Sequence, residues 1–159
     1  MKISIQHSSS ILSSSAYKSF KGGIARREAL LQFVIDYVTK NKLINYHPKV
    51  AVLVKPLRGF HGQHDPRSKA ITLDVRLGEQ EMVQTFLHEL RHSEQTKLGR
   101  MKLVWDAQAK TYHDGWDGQP VFSKGTTEKS YLDLPWEIDA REAETWTDEV
   151  YAAWVAFSA

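Results

Sequence analysis

The chain has 159 residues and a mass of 18.2 kDa, 42% of it hydrophobic and 25% charged, which suits one globular domain around a single core. It holds no cysteine, which excludes disulfides, thiolate zinc fingers, iron–sulfur clusters and a cysteine nucleophile. No apolar run approaches the ~18 residues of a membrane span. The net charge of +2 conceals a split: residues 1–70 carry 12 Lys/Arg against 3 Asp/Glu, and residues 71–159 carry 9 against 16.

Met1–Gln6 reads as a short strand, with Ile3 and Ile5 alternating against polar neighbours. Six of the eight residues Ser8–Ser15 are serine, and Ile11–Leu12 is too short for the apolar core of a secretory signal. Residues 1–21 are therefore expected to form a flexible Ser-rich segment ahead of a single domain over 22–159. From Gly22–Gly23 onward the pattern turns helical: Leu30, Leu31, Val34, Ile35 and Val38 mark one apolar stripe typical of a helix packed on a core, with a stop near Asn41–Lys42. Val50–Lys55 and Ala70–Val75 read as strands. Arg58–Ser68 between them is rich in turn residues and reads as a loop. Its His61 and His64 lie i, i+3 in a Gly-containing turn with no acidic cluster nearby, and are taken as polar loop side chains.

A second helix is expected from Glu79 to about Leu98, and it contains His88-Glu89-Leu90-Arg91-His92. Histidines at i and i+4 lie one above the other on a helix face, so both rings can reach one Zn²⁺ at ~2.0–2.1 Å. Glu89, turned ~100° round the helix, is placed to take a proton from a water on the metal's open side. With 7 His and 10 Glu in the chain, chance yields only about 0.02 such motifs. The wheel agrees: Met82, Val83, Phe86, Leu87 and Leu90 share an arc opposite His88 and His92.

A catalytic zinc takes a third protein ligand. A metzincin site needs glycine and histidine three and six residues after His92, where the chain has Gln95 and Leu98. What remains is a downstream acid or His113, the only histidine after His92. A last helix begins at Pro135, which suits a first-turn position with Asp133 as a capping group. Its Trp136, Ala140, Ala143, Trp146, Val150, Trp154 and Phe157 form a broad apolar arc. Packed on the HExxH helix through that arc, it presents Glu137 at the edge of the contact, with Glu142 as second choice. Asp139 falls inside the arc, either as a buried carboxylate that orients a histidine or on a solvated stretch. Glu144, Asp148 and Glu149 read as solvated charges.

HExxH followed by a helix carrying Glu-x-x-Ala resembles the pattern of gluzincin-type zinc metallopeptidases. The string Tyr131-Leu132-Asp133-Leu134-Pro135-Trp136-Glu137-Ile138-Asp139-Ala140-Arg141 is similar to that of small metallopeptidases of phage and bacterial genomes, distant relatives of the ImmA/IrrE peptidases. The resemblance implies zinc held by His88, His92 and Glu137, with Glu89 as catalytic base. It also implies an edge strand at Asp74 that aligns an extended substrate, and a Trp116-Asp117-Gly118 segment ahead of the glutamate helix. Arg141 departs from the pattern: relatives often have Asp or Asn there, bonded to a ligand histidine, a role that falls here to Asp139 or a backbone carbonyl.

The expected fold is α+β and minimally zincin-like, a small, mostly antiparallel sheet against the HExxH helix and the C-terminal glutamate helix. The expected function is hydrolysis of a peptide bond in a peptide or protein substrate, with Tyr131, Tyr112 or His113 as candidate donors to the oxyanion. The expected location is the cytoplasm, that of the host if the chain is phage-encoded. One rival takes His113 as third ligand, as in SprT-like proteases acting on DNA-bound proteins. Another is a non-catalytic zinc-binding module contacting nucleic acid or protein through the basic N-terminal half.

Overall fold

The structure, a computed structural model, describes residues 3–7, 23–46, 48–122 and 131–159. Its architecture is α+β: β1 (Ser4–His7), α1 (Gly23–Lys40), β2 (Ala51–Lys55), β3 (Gly62–His64), β4 (Ala70–Asp74), α2 (Glu79–Lys97), β5 (Met101–Asp106), β6 (Thr111–Trp116), β7 (Gln119–Pro120), α3 (Pro135–Glu144) and α4 (Thr147–Ser158). The strand expected at the N-terminus is β1, paired with β2 from Ser4↔Ala51 to His7↔Val54, so the domain reaches back to Ile3. The Ser-rich stretch after it lies outside the described residues. No described helix is long and apolar enough to cross a membrane.

The helix-bearing sheet has the order β1-β2-β4-β3. β1–β2 and β2–β4 are parallel, while β3–β4, β5–β6 and β6–β7 are antiparallel. Parallel neighbours need a crossover, and α1 supplies one between β1 and β2. Val52, Val54, Ile71 and Leu73 face the helices and are fully buried with Leu30, Leu31 and Val34 of α1 and Met82, Val83 and Phe86 of α2.

Three expectations change. β4 is not an edge: β2 and β3 pair on either side of it, and residues Ile71 to Asp74 are all buried. Among the described residues the strand at that edge is β3, inside the segment read as a loop. Asp74 instead binds the backbone N–H and guanidinium of Arg76, at 3.0 and 2.7 Å, and so holds the turn from β4 into α2. The C-terminal helix is two helices, broken at Thr145–Trp146. Pro135 does take a first-turn position, but the N-cap is Leu134 and no side chain caps it.

Candidate metal centre

α2 buries Met82, Val83, Phe86, Leu87 and Leu90 in the core, which turns His88 and His92 toward α3. Ala140 and Ala143 are fully buried, and their small side chains let α3 lie close against α2. That approach delivers Glu137, buried on the first turn of α3, to the histidines. Among the described residues, His88, His92 and Glu137 form the one group able to hold a metal ion.

The two Nε2 atoms are 3.1 Å apart. The Glu137 carboxylate presents Oε2 to His88 at 3.2 Å and Oε1 to His92 at 3.1 Å. Ligands at 2.0–2.1 Å from a tetrahedral ion lie about 3.3 Å from one another; the Nε2–Nε2 separation is close to that edge, and a different oxygen of Glu137 faces each ring. The tautomers agree. His88 Nδ1 faces Glu144 Oε1 at 2.8 Å, and since a carboxylate only accepts, Nδ1 carries the proton. His92 Nδ1 is 2.9 Å from Gln95 Oε1. The amide of Gln95 cannot be reversed, because its Nε2 donates to the Trp136 carbonyl at 2.9 Å and to Asp139 at 2.8 Å. With those protons on Nδ1, the neutral rings would both aim Nε2 lone pairs at one point, the arrangement a cation requires.

Two of the polar residues that set this geometry do not follow from the sequence pattern. Glu144, read as a solvated charge, orients His88. Gln95, noticed only as the wrong residue for a metzincin, orients His92. Asp139 and a backbone carbonyl do take part, but one bond further out, by holding Gln95. Arg100 and Arg91 lie 3.5 and 3.8 Å from Asp139. Arg141 caps the Leu132 carbonyl at 2.6 Å, and Glu142 is exposed away from the group.

Glu89 is buried and lies under β3: a Cβ on Gly62 would stand 3.2 Å from its Cγ and 2.5 Å from Thr85 Cγ2. The glycine is what allows the edge strand to approach α2. Burial raises the pKa of Glu89, and the neighbouring His92 and His88 counter this only in part. For Glu137 burial acts upward as well, but bonds from His88 and His92 prevail and hold it well below the carboxylate range. Burial works against protonating His88, yet Glu137, Glu89 and Glu144 together raise its pKa. Tyr131 donates to Glu137 Oε1 at 2.8 Å, and burial, then Glu137, raises its pKa.

The group lies where two cavities meet, of about 860 and 460 Å³, both bordered by Phe60, Gly62, Glu89, Tyr131 and Glu137. The larger runs past His88 between Arg76 and Arg141. The smaller runs past His92 between His64 and Met101. His64 is therefore part of the cleft wall and not a loop side chain, and burial together with His92 pushes its pKa down to about 4. Tyr112 and His113, the other candidate donors, sit on β6 outside the group. Tyr112 is 61% exposed, and His113 pairs with Asp106 at 3.1 Å.

Asp117 and Gly118 both have positive φ, 48° and 84°, and form the two-residue turn between β6 and β7. Asp117 pairs with Arg100 at 3.0 Å, which fastens this turn beside the end of α2. Comparison with family models, curated proteins and solved structures gave no match.

Proposed function

We propose that the protein is a zinc-dependent metallopeptidase of the gluzincin type, hydrolysing peptide bonds of a peptide or protein substrate in the cytoplasm. One observation carries the reading: two imidazole Nε2 atoms and a carboxylate converge within 3.2 Å, with the buried Glu89 on the adjoining wall of an open cleft. His88, His92 and Glu137 would hold the ion. Bound there, Zn²⁺ supplies the Lewis-acid charge that polarises a scissile carbonyl and brings the pKa of a water down to about 7.

The remaining steps belong to the chain. Glu89 accepts a proton from the water as its oxygen bonds to the carbonyl carbon. It returns that proton to the amide nitrogen as the C–N bond breaks, leaving a carboxylic acid and an amine, between which a proton then passes to give carboxylate and ammonium. The raised pKa of Glu89 favours the second transfer. Tyr131 borders both halves of the cleft and has a single proton, so donation to the developing oxyanion requires it to leave Glu137. The outer edge of β3, unpaired among the described residues, offers backbone groups with which an extended substrate can pair as an added strand.

Metal analysis of purified protein should give one zinc per chain, lost in Glu137→Ala. Glu89→Gln should keep the zinc while turnover of a casein substrate drops about 10²–10⁴-fold, the usual share of a general base. Turnover that survives in Glu89→Gln removes Glu89 from this role, and zinc that survives in Glu137→Ala removes Glu137.

A further inference from the structure

The smaller cavity leaves the metal group on the His92 side and has Met101 in its wall. Met101 is also the first residue of β5. Alternation along β5 and its register with β6, Met101↔Trp116 and Trp105↔Tyr112, put Met101, Leu103, Trp105, Tyr112 and Trp116 on one face of the hairpin. Beyond Met101 the side chains on that face are exposed: Leu103 is 62% exposed, Trp105 53% and Tyr112 61%. The Trp105 and Tyr112 rings meet edge to face with centroids 5.0 Å apart, so they brace each other and stay presented to solvent. The root is rigid, with the Arg100 guanidinium 4.3 Å over the Trp116 ring and the Asp117 N–H bonded to the Arg100 carbonyl. A contiguous run of large apolar side chains on a surface marks a place where something binds.

Charge selects what binds. Residues 100–118 hold Arg100, Lys102 and Lys110 against Asp106, Asp114 and Asp117; Arg100 is already paired with Asp117 and Asp139, and Asp114 stands on the aromatic face opposite Leu103. A phosphate backbone needs basic side chains among the stacking rings, whereas an uncharged stretch of polypeptide meets no penalty here. The path favours polypeptide as well. Gly62, Gln63 and His64 of the edge strand border the same cavity as Met101, so a chain paired along β3 and continuing past His64 reaches the start of the strip. β5 is itself the outer strand of its sheet among the described residues.

We infer that the β5–β6 hairpin is a docking arm for substrate, holding an extended segment with bulky apolar side chains beyond the residues that occupy the cleft. The inference rests on the peptidase reading and deepens it. It assigns as substrate an unfolded or extended polypeptide rich in apolar residues, in preference to a short polar peptide.

The test uses zinc-loaded Glu89→Gln protein, so that binding is read without turnover. The probes are two fluorescein-labelled peptides of about twelve residues, one alternating leucine with serine and one alternating glycine with serine. The leucine peptide should bind about tenfold more tightly, and adding Leu103→Ser with Trp105→Ser should abolish that preference. Both sites are exposed, and circular dichroism reports whether the fold is kept. An undiminished leucine preference in that variant overturns the docking arm. Casein cleavage by the unmodified chain separates the two readings: absent cleavage with the leucine preference intact sinks the peptidase reading alone. A wild-type dimer that dissociates in the double variant, or thymidine-oligonucleotide binding that the variant loses, names a different occupant and overturns the inference.

Discussion

Glu144→Ala tests whether the carboxylate next to His88 sets the metal site. The substitution deletes the acceptor that holds the His88 Nδ1 proton at 2.8 Å. A hydrogen bond to a charged group contributes about 1.5–3 kcal/mol. The Glu144 side chain is 27% exposed, so water replaces part of the loss and the lower half of that range applies. At 1.4 kcal/mol per decade, about 1.5–2 kcal/mol is a roughly 10–30-fold rise in the zinc Kd, within the usual cost of losing a group behind a ligand histidine. Glu144→Gln keeps an acceptor oxygen and gives up the charge, with an expected rise of about threefold. Glu142→Ala removes an exposed carboxylate on the same helix and should stay within about twofold. Competition against a chromophoric chelator gives all three constants. If Glu144→Ala and Glu142→Ala weaken zinc equally, Glu144 is only another surface charge and the tautomer argument for His88 fails.

Gly62→Ala places a Cβ 2.5 Å from Thr85 Cγ2 and should destabilise the fold by about 1–3 kcal/mol; adding Thr85→Ala should recover most of it, and a denaturation double-mutant cycle that shows no coupling refutes the contact. Without metal, stability should fall as pH rises from about 6.5. The His88 pKa is raised in the fold, so its contribution is complete below the unfolded value of about 6.5 and is lost as pH climbs through the folded one. His7 and His64 have lowered pKa values, so their contributions grow with pH up to about 6.5 and are level above it. Glu89, whose pKa burial raises, adds a fall that begins already at about 4.5. In the melting temperature of chelator-treated protein, the part of the slope that begins at about 6.5 is therefore assigned to His88, and Glu137→Gln should flatten that part.

The legible part of the site is the part written along one helix. His88, Glu89 and His92 follow from the i, i+4 spacing and the opposed apolar arc of α2, both local properties. Glu137 was within reach because its position relative to Ala140 and Ala143 survives any rigid packing of α3. Glu144 was not: on a helical wheel it resembles Asp148 and Glu149, and only the angle between α2 and α3 separates them. Gln95 was hidden for a similar reason, since its role depends on a carbonyl and a carboxylate 41 and 44 residues away. The edge strand β3 is Gly-Gln-His, three residues of poor strand propensity, and its pairing with β4 makes it a strand. The parallel β1–β2–β4 pairings leave no turn signature at all, whereas the Asp117-Gly118 hairpin does.

The charge split of the sequence is partly resolved in space. From the basic half, Arg26 pairs with Glu79 at the start of α2, and Arg27, fully buried, donates to the Val75 carbonyl. From the acidic half, Glu89, Glu137 and Glu144 are gathered about His88. Three carboxylates beside two neutral rings, in a partly buried cleft, are costly unless positive charge joins them. One proton on His88 answers only part of that need. It would fill the gap to Glu137, but His92 Nε2 would still aim a lone pair at the same point, because its own proton is committed to Gln95. A divalent ion satisfies both lone pairs and the carboxylate together, and Arg100 and Arg91 already face Asp139 and take no share in this. The acidic excess of the second half is therefore not a surface property alone: Glu89, Glu137 and Glu144 are gathered about His88, and a divalent ion held by His88, His92 and Glu137 would offset their charge.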